Sequence, residues 1–267
     1  MPGDETIRWL AGALAALDHQ HVPRVAIDGP DAAGKTWLAD GLADLIRASR
    51  PVIRLSADGF QHPAEVRYRR GDVSAEGYYL DSFDHQTIAA AVLRPLGPGG
   101  DLAYLPGLTD SRPVPPGPDS GPAGAGSGPP GSGSPGSGSP GSGSPGSRPP
   151  ASRRGPLAPD RRIADPRALL LFDGVFLQRA GLRRHWDFVV YLQVTPEESL
   201  RRALIRDIRL FGTPADVEHR YRRRYLPGQG LYRLRDRPAE RADVVLDMSD
   251  PGRPAVLRSA VLRAARS

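Results

Sequence analysis

The sequence predicts an α/β fold, in which a mostly parallel central sheet lies between two layers of helices as a three-layer αβα sandwich. Two observations predict it. Short apolar segments alternate along the chain with segments whose apolar residues recur at helical spacing, which is typical of parallel sheets. In addition, residues 168–175 and 187–194 are nearly continuous apolar runs, as expected of strands covered on both faces. Such sheets bind ligands at the carboxyl ends of their strands.

The helical segments show apolar residues every three or four positions. In chain order they are 5–19, 34–48, 84–96, 196–211 and 214–226. Ser82 or Asp84 is available to cap the third, and the fourth begins with proline and acidic residues, as helices often do. The predicted strands are short apolar runs next to turn residues, namely 24–29, 51–57, 168–175, 187–194 and 242–248.

The composition of the 267-residue chain excludes several classes of protein. It has no cysteine, which rules out a disulfide framework, a thiolate nucleophile and a cysteine-ligated metal. We see no signal-peptide pattern and no apolar run near the roughly 18 residues of a membrane span, so we expect a soluble cytoplasmic protein without a membrane partner. The formal net charge of +6 comes from arginine. We interpret it chiefly as a compositional habit, the alternative being an acidic partner such as nucleic acid or nucleotide.

Composition changes sharply near Pro113. Residues 113–160 consist mainly of a Pro-Gly-Ser repeat, which cannot bury enough apolar surface to offset the entropy of ordering it. We therefore expect a disordered insertion that divides one domain into an N-terminal part, 1–112, and a C-terminal part, 161–267. The sequence leaves the oligomeric state and the role of the insertion open.

Residues 29–36, GPDAAGKT, match the phosphate-binding pattern G-x-x-x-x-G-K-[ST] of P-loop NTPases between a predicted strand and a predicted helix. Lys35 is the only lysine among 36 basic residues, which argues against a chance match. We expect Lys35 to contact the β and γ phosphates of ATP and the Thr36 hydroxyl to bind Mg²⁺. The remaining loop residues should surround the phosphates, and they are Gly29, Pro30, Asp31, Ala32, Ala33 and Gly34.

Two residues of this region are unusual. Asp31 places a carboxylate inside a phosphate loop, so its side chain should turn away from the nucleotide. Trp37 stands where a small hydroxyl residue is common in such loops, and we expect it either to pack against the sheet or to lie near the nucleobase.

Asp58 lies in the segment LSADGFQHP, residues 55–63, at the end of the second predicted strand. That position brings it to the edge of the sheet where the γ-phosphate lies. A carboxylate there can orient a substrate hydroxyl and accept its proton. The alternative is an aspartate that only forms a turn with Gly59.

Five segments now suggest a family. GPDAAGKT, DGF, GYYLDSFDH, LLLFDGVFL and RRALIRDIRLFG follow one another in an order that resembles uridine kinases and the broader group with pantothenate kinase and phosphoribulokinase. The resemblance covers most of the chain outside 113–160 and the first twenty residues. It implies a P-loop NTPase fold and an ATP- and Mg²⁺-dependent kinase for a small molecule. The expected acceptor is the 5′-hydroxyl of a pyrimidine nucleoside.

The resemblance also implies roles for single residues. Asp58 matches the catalytic base, and Arg206 and Arg209 match lid arginines that close on the transferred phosphate from one helix face, the alternative being a solvated face. Asp84 matches the aspartate that holds the ribose hydroxyls, although it also suits a helix cap. Asp173 would support Mg²⁺ directly or through water, the alternative being a strand-end turn.

The acceptor pocket is less well marked. Tyr79 and Arg67 are candidates for it by position alone. The segment expected to grip the nucleobase, residues 101–114, runs into the insertion, and His62 after DGF is also similar to pantothenate kinase relatives. The alternatives are therefore a pantothenate or other alcohol or sugar kinase, and a nucleotide-binding regulator or nucleic-acid-associated NTPase. The latter would use Arg222, Arg223 and Arg224, and we do not expect a nucleic-acid partner.

Overall fold

A computed structural model of the protein describes residues 2–108 and 160–259. Its strands are β1 (Arg24–Asp28), β2 (Val52–Ser56), β3 (Ala103–Tyr104), β4 (Arg162–Ile163), β5 (Leu169–Gly174), β6 (Phe188–Gln193), β7 (Val244–Asp247) and β8 (Ala255–Ser259). Six of them form one sheet in the order β2–β5–β1–β6–β7–β8, in which only the edge strand β8 is antiparallel. Strands β3 and β4 form a separate antiparallel pair.

Helices connect these strands. They are α1 (Pro2–Ala15), α2 (Lys35–Ile46), α3 (Ala64–Arg67), α4 (Ala75–Asp81), α5 (His85–Ile88), α6 (Ala180–Arg183), α7 (Pro196–Arg206), α8 (Ile208–Phe211), α9 (Pro214–Arg220), α10 (Leu226–Asp236) and α11 (Pro238–Arg241). A 3₁₀ turn spans Ala57–Phe60, and π-helical turns span Ala89–Leu93 and Tyr221–Tyr225.

The central strands β1, β5 and β6 are buried on both faces of the sheet, apart from the last residue of β6. Alternate residues of β5 enter two different apolar cores: Leu169 and Leu171 pack with α1 and α2, whereas Leu170 and Phe172 pack with residues of α4 and α10. Successive side chains of a strand point to opposite faces, so a strand that is apolar at every position can serve both cores. The predicted three-layer α/β fold with a mostly parallel sheet is confirmed.

The structure departs from the predicted elements at several positions. The predicted helix over 196–211 is broken at Asp207, whose backbone (φ −98°, ψ 2°) separates α7 from α8. Helix α10 and the edge strand β8 were not predicted. The start of α10 contains Pro227, Gly228 and Gly230, which suggest a loop. Gly228 instead permits close packing, because a β-carbon there would lie 2.8 Å from the ring of Tyr78.

The predicted insertion over 113–160 lies outside the described residues except for Asp160. Its extent and the division of the domain around it stay predictions. Among the helices of the described ranges, none combines the length and the apolar character that crossing a membrane requires.

Candidate active site

The carboxyl ends of three neighbouring strands meet at one edge of the sheet. Strand β5 lies between β1 and β2, and its Asp173 is in register with Ile27 of β1 and with Ser56 of β2. The loop 29–36 follows β1, and Asp58 comes two residues after Ser56. The topology therefore brings the loop, Asp58 and Asp173 to the edge where α/β sheets bind ligands.

The loop 29–36 curls tightly, and its two glycines are required by the geometry. A β-carbon on Gly29 would lie 2.8 Å from the carbonyl oxygen of Leu192, so a larger residue would displace β6. Gly34 has a φ of +90°, a left-handed conformation that favours glycine. It is also the N-cap of α2 and offers no capping side chain, which leaves the first N–H groups of that helix available to a ligand. This arrangement is suited to phosphate.

Lys35 and Thr36 begin α2 and have different partners. Lys35 Nζ donates a hydrogen bond to the carbonyl oxygen of Pro30 over 2.7 Å, so the ammonium folds back along the loop. Thr36 Oγ1 donates to Asp173 Oδ2 over 2.9 Å. A hydroxyl and a carboxylate are oxygen ligands of the kind that Mg²⁺ prefers.

These two side chains do not make a complete metal site. Within the described ranges, no group of three or more His, Asp or Glu side chains could hold a metal ion by itself. Magnesium at Thr36 and Asp173 would therefore take its other ligands from phosphate oxygens and water, which is how nucleotide enzymes commonly bind it.

Asp31 is held by the helical layer that contains α4 and α10. Its Oδ2 accepts hydrogen bonds from the hydroxyl of Tyr78 over 2.6 Å and from Nε2 of Gln229 over 2.7 Å. Its carbonyl oxygen accepts another from Ser199 Oγ on α7 over 2.7 Å. The carboxylate therefore turns towards the helices and braces the loop against them.

Asp58 lies in the 3₁₀ turn after β2, where its backbone N–H donates to Ser56 Oγ over 3.3 Å. The side chain is open to solvent on one side, and Gln61 Nε2 donates to its Oδ1 over 3.2 Å. Nearby protein atoms partly desolvate the carboxylate, which raises the pKa of Asp58. The negative charge of Asp173 raises this pKa further, and together these effects outweigh the hydrogen bond from Gln61, which lowers it. An accessible carboxylate with a raised pKa is suited to general base catalysis.

A further carboxylate, Asp28, is fully buried at the end of β1, directly before the loop. Its Oδ2 accepts hydrogen bonds from the hydroxyl of Tyr232 over 2.5 Å and from Gln178 Nε2 over 3.1 Å, and its Oδ1 accepts one from the Gly29 N–H over 2.8 Å. Burial raises the pKa of Asp28 in spite of these donors. The sequence identifies it only as a turn residue, because its side-chain donors lie 150 and 204 positions away.

Arg206 and Arg209, the two predicted lid arginines, lie on either side of the break at Asp207. Arg206 Nε donates to Asp207 Oδ1 over 2.6 Å, and its Nη2 donates to Oδ2 over 3.0 Å, so a buried carboxylate holds this guanidinium. Arg209 is exposed on α8. The expectation that both share one face of a continuous helix is wrong, because the backbone leaves the helical conformation between them.

Asp84 caps helix α5. Its Oδ1 accepts from the backbone N–H of Thr87 over 2.9 Å, and its Oδ2 accepts from the Thr87 hydroxyl over 2.7 Å. Partial burial alone would raise the pKa of Asp84, but these bonds outweigh it and the pKa is lowered. Asp84 therefore acts as a helix cap, which was the alternative role expected for it. Each carboxylate oxygen can accept a second bond, so ribose binding stays a prediction.

The prediction that Tyr79 lines the acceptor pocket requires a correction. Its side chain is buried in the core, and its hydroxyl donates to Asp236 Oδ2 over 2.6 Å. The guanidinium of Arg179 lies 4.6 Å from the ring centroid. The ring and hydroxyl therefore join α4 to α10 and do not line an open acceptor pocket. Arg67 is half-buried beside the ring of Tyr68, and its Nε has no hydrogen-bond partner among the described residues, so it remains a candidate.

The three consecutive arginines of the nucleic-acid hypothesis do not form one basic patch. Arg224 is 2% exposed and donates to backbone carbonyl oxygens of residues 67–74. Arg222 is paired with Glu218 at 2.7 Å, and Arg223 is exposed. The alternative in which all three arginines bind nucleic acid is not supported at Arg224, because its guanidinium is buried.

Solved structures of other proteins have a fold similar to that of this chain. No protein-family model matches the chain, and no curated protein matches it. Among solved structures, it is similar to that of a "possible uridine kinase" from Bacillus stearothermophilus, with a TM-score of 0.58 and 19% identity over 92% of this chain and 99% of the other. It is also similar to a "putative fructose transport system kinase" from Silicibacter sp. TM1040, with a TM-score of 0.56 and 16% identity over 85% and 94% of the two chains.

Identities this low establish the fold alone. The chain shares the three-layer α/β fold of these two structures, and the predicted resemblance to uridine kinase-like proteins is confirmed at the level of the fold.

Proposed function

We propose that this protein is an ATP-dependent kinase that phosphorylates a hydroxyl group of a small molecule, with the 5′-hydroxyl of a pyrimidine nucleoside as the leading acceptor. One observation supports this most strongly: Asp58, with its raised pKa, follows β2, and β2 lies beside β5, which carries Asp173 and neighbours the strand that precedes the loop 29–36. A phosphate loop alone would suit any nucleotide hydrolase. A base at the neighbouring strand end gives the loop a partner that can activate an alcohol.

The chain's own groups would act as follows. Lys35 exchanges the carbonyl oxygen of Pro30 for phosphate oxygens, since an ammonium gains more from an anion than from a neutral acceptor. Asp58 accepts the hydroxyl proton while the acceptor oxygen bonds to the γ-phosphorus and the bond to the β-γ bridging oxygen breaks, which leaves ADP. Arg206 and Arg209 supply positive charge to the transferred group.

The oxygen atoms of Thr36 and Asp173 fit Mg²⁺ as ligands. When bound, the ion would neutralise charge on the phosphate oxygens. Asp173 accepts from the Thr36 hydroxyl and thereby orients it, whether the carboxylate binds the metal directly or through water.

Two acceptor classes have specific support. The nucleoside is supported by the order of the sequence motifs and by the position of Asp84, and one similar structure is described as a uridine kinase. The other is described as a fructose transport system kinase, which makes a sugar the second candidate. Pantothenate remains an alternative from the sequence, through His62 after DGF.

The test is ADP release by the full-length protein with ATP and magnesium, using uridine, cytidine, fructose and pantothenate in turn. One acceptor should raise ADP release far above the rate with ATP alone. Asp58→Asn should lower turnover about a hundredfold or more while ATP binding by calorimetry persists. Lys35→Arg should abolish turnover, since a guanidinium fork does not replace a point charge there. Asp44→Asn, on the exposed face of α2, is the matched control and should be unaffected.

Two results would contradict the proposal. If ATP does not bind in the presence of magnesium, the loop is not a nucleotide site. If Asp58→Asn retains turnover, the base lies elsewhere.

A further inference from the structure

Trp37 is the one aromatic side chain among the large apolar side chains that are exposed in the described ranges, with 53% of its surface open to solvent. It does not pack against the sheet, which was one of the two expectations for it. Its neighbours Leu38 and Ala39 perform that role and are fully buried. Burying a large aromatic side chain is energetically favourable, and this indole is left exposed. It is therefore available to contact a bound ligand.

The place of Trp37 on α2 suggests its partner. The helix begins at Lys35 without a capping side chain, so its first N–H groups face the phosphate cradle. The Thr36 side chain is directed to Asp173 and thus towards β5. Trp37 is the next residue, turned by about 100° around the helix. It is the first side chain along α2 that lies beyond the residues assigned to phosphate.

We propose that Trp37 contacts the nucleoside part of the bound triphosphate, with its indole against the face of the base. This inference rests on the proposed function, because it requires that the loop 29–36 holds the phosphates. A triphosphate held there must direct its ribose and base out of the loop, where an exposed aromatic face is available. Stacking on an aromatic ring tolerates any base, since every base has a π-face. Trp37 would therefore contribute affinity for nucleotides without selecting adenine.

The experiment compares ATP with inorganic tripolyphosphate, which has the phosphates but no nucleoside. Binding of each, with magnesium, is measured by calorimetry and by tryptophan fluorescence for the wild type, Trp37→Ala and Trp37→Phe. We expect Trp37→Ala to raise the Kd for ATP by about tenfold and to leave the Kd for tripolyphosphate within about twofold. Trp37→Phe, which keeps a ring, should lose less. ATP should change the fluorescence of the wild type more than tripolyphosphate does.

Leu45→Ala is the matched control, because Leu45 is a second exposed apolar residue of α2, with 42% of its surface open, and lies far along the helix from the loop. It should leave both Kd values unchanged. Thermal unfolding verifies that the variants fold.

The outcomes separate this inference from the proposed function. Equal changes in the Kd of ATP and of tripolyphosphate, or no change in either, would overturn the role of Trp37 while the phosphate loop stands. If Trp37→Ala selectively weakens ATP but no acceptor is phosphorylated, the contact is supported and the kinase assignment fails. If the wild type binds neither compound, both are overturned.

Discussion

Arg54 and Asp173 form an ion pair at the edge of the candidate site, with Arg54 Nη1 2.7 Å from Asp173 Oδ1. Asp173 is buried, and its other oxygen accepts the hydrogen bond from Thr36. Arg54 Nε also donates to Asp40 of α2 over 2.9 Å. One guanidinium therefore links β5 to the helix that begins with Lys35, and it fixes the direction in which Asp173 presents its second oxygen.

Replacing Arg54 should destabilise the folded protein, because its partner Asp173 is buried. Arg54→Gln leaves the buried Asp173 carboxylate without its cation, and we expect the free energy of unfolding to fall by about 3 kcal/mol. Asp40→Asn is the matched control, since it removes the pair that the same arginine makes with an exposed carboxylate, and it should cost less than about 1 kcal/mol. Urea denaturation measures both. Equal losses would mean that the Asp173 pair contributes no more than a surface pair.

The raised pKa of Asp58 predicts the pH dependence of catalysis. As a base, Asp58 works only when deprotonated, so kcat/KM should fall as the pH drops through its pKa, which lies above the ordinary aspartate value of 3.8. Gln61 stabilises the charged form by its hydrogen bond. Gln61→Leu removes that donor, raises the pKa further and should move the acid limb to higher pH. The profile of kcat/KM between about pH 4.5 and 8 measures this. A limb that stays in place or moves to lower pH would show that Asp58 is not the titrating group.

Sequence patterns were sufficient for the parts of the site that depend on local structure. The loop 29–36 is identified by the residues that its own geometry requires: Gly29 because Leu192 lies so close, and Gly34 because of its positive φ. Asp58 follows β2 and Asp173 lies at the carboxyl end of β5, and the parallel order of these strands brings both to one edge of the sheet. Burial on both faces makes β5 recognisable in the sequence as a continuous apolar run.

The remaining contacts depend on long-range packing, which a single sequence does not display. From α10, Gln229 donates to Asp31 of the loop and Tyr232 donates to Asp28 directly before it. The proline and glycines of α10 are typical of a loop, so the sequence does not indicate this helix. Arg224 is one of three adjacent arginines with the same apparent character, yet it alone is buried among them. Tyr79 was a candidate for the acceptor pocket by position alone, and its hydroxyl instead donates to Asp236. In each case a partner from a distant element decides the role.

Arg224 should hold the loop of residues 67–74 in place. Its guanidinium is buried and donates to Arg67 O over 3.0 Å and to Ser74 O over 3.2 Å, with longer bonds to two further carbonyls, while it lies 4.8 Å from the centroid of the Tyr68 ring. A lysine ammonium cannot satisfy these carbonyls or stack on the ring. We expect Arg224→Lys to lower the free energy of unfolding by about 2 kcal/mol or more. Amide exchange of residues 67–74 should accelerate as well.

The adjacent Arg223→Lys is the control for this substitution, because Arg223 is exposed and should change neither quantity. If both lysine variants behave like the wild type, the carbonyl oxygens around Arg224 find other donors and the loop does not depend on it.

His85 should make the folded protein sensitive to mild acid. Burial, together with the charge of Arg179, lowers the pKa of His85 to about 3, against 6.5 for the free side chain, and its Nε2 is buried without a hydrogen-bond partner among the described residues. Below about pH 6.5 the unfolded chain gains a proton that the folded chain does not, so the free energy of unfolding falls as the pH decreases from about 6.5 towards 3. His85→Asn removes this contribution.

We therefore expect the wild type to lose up to about 2 kcal/mol more stability than His85→Asn between about pH 7.5 and 5, measured by urea denaturation at both values. The imidazole resonance of His85 in NMR spectra gives a second measurement, since it should not titrate across this range in the folded protein. Parallel losses of stability in the two proteins, or a resonance that titrates near pH 6.5, would mean that the folded protein accommodates the imidazolium. The difference between the two proteins isolates His85 because the other titrating groups are the same in both.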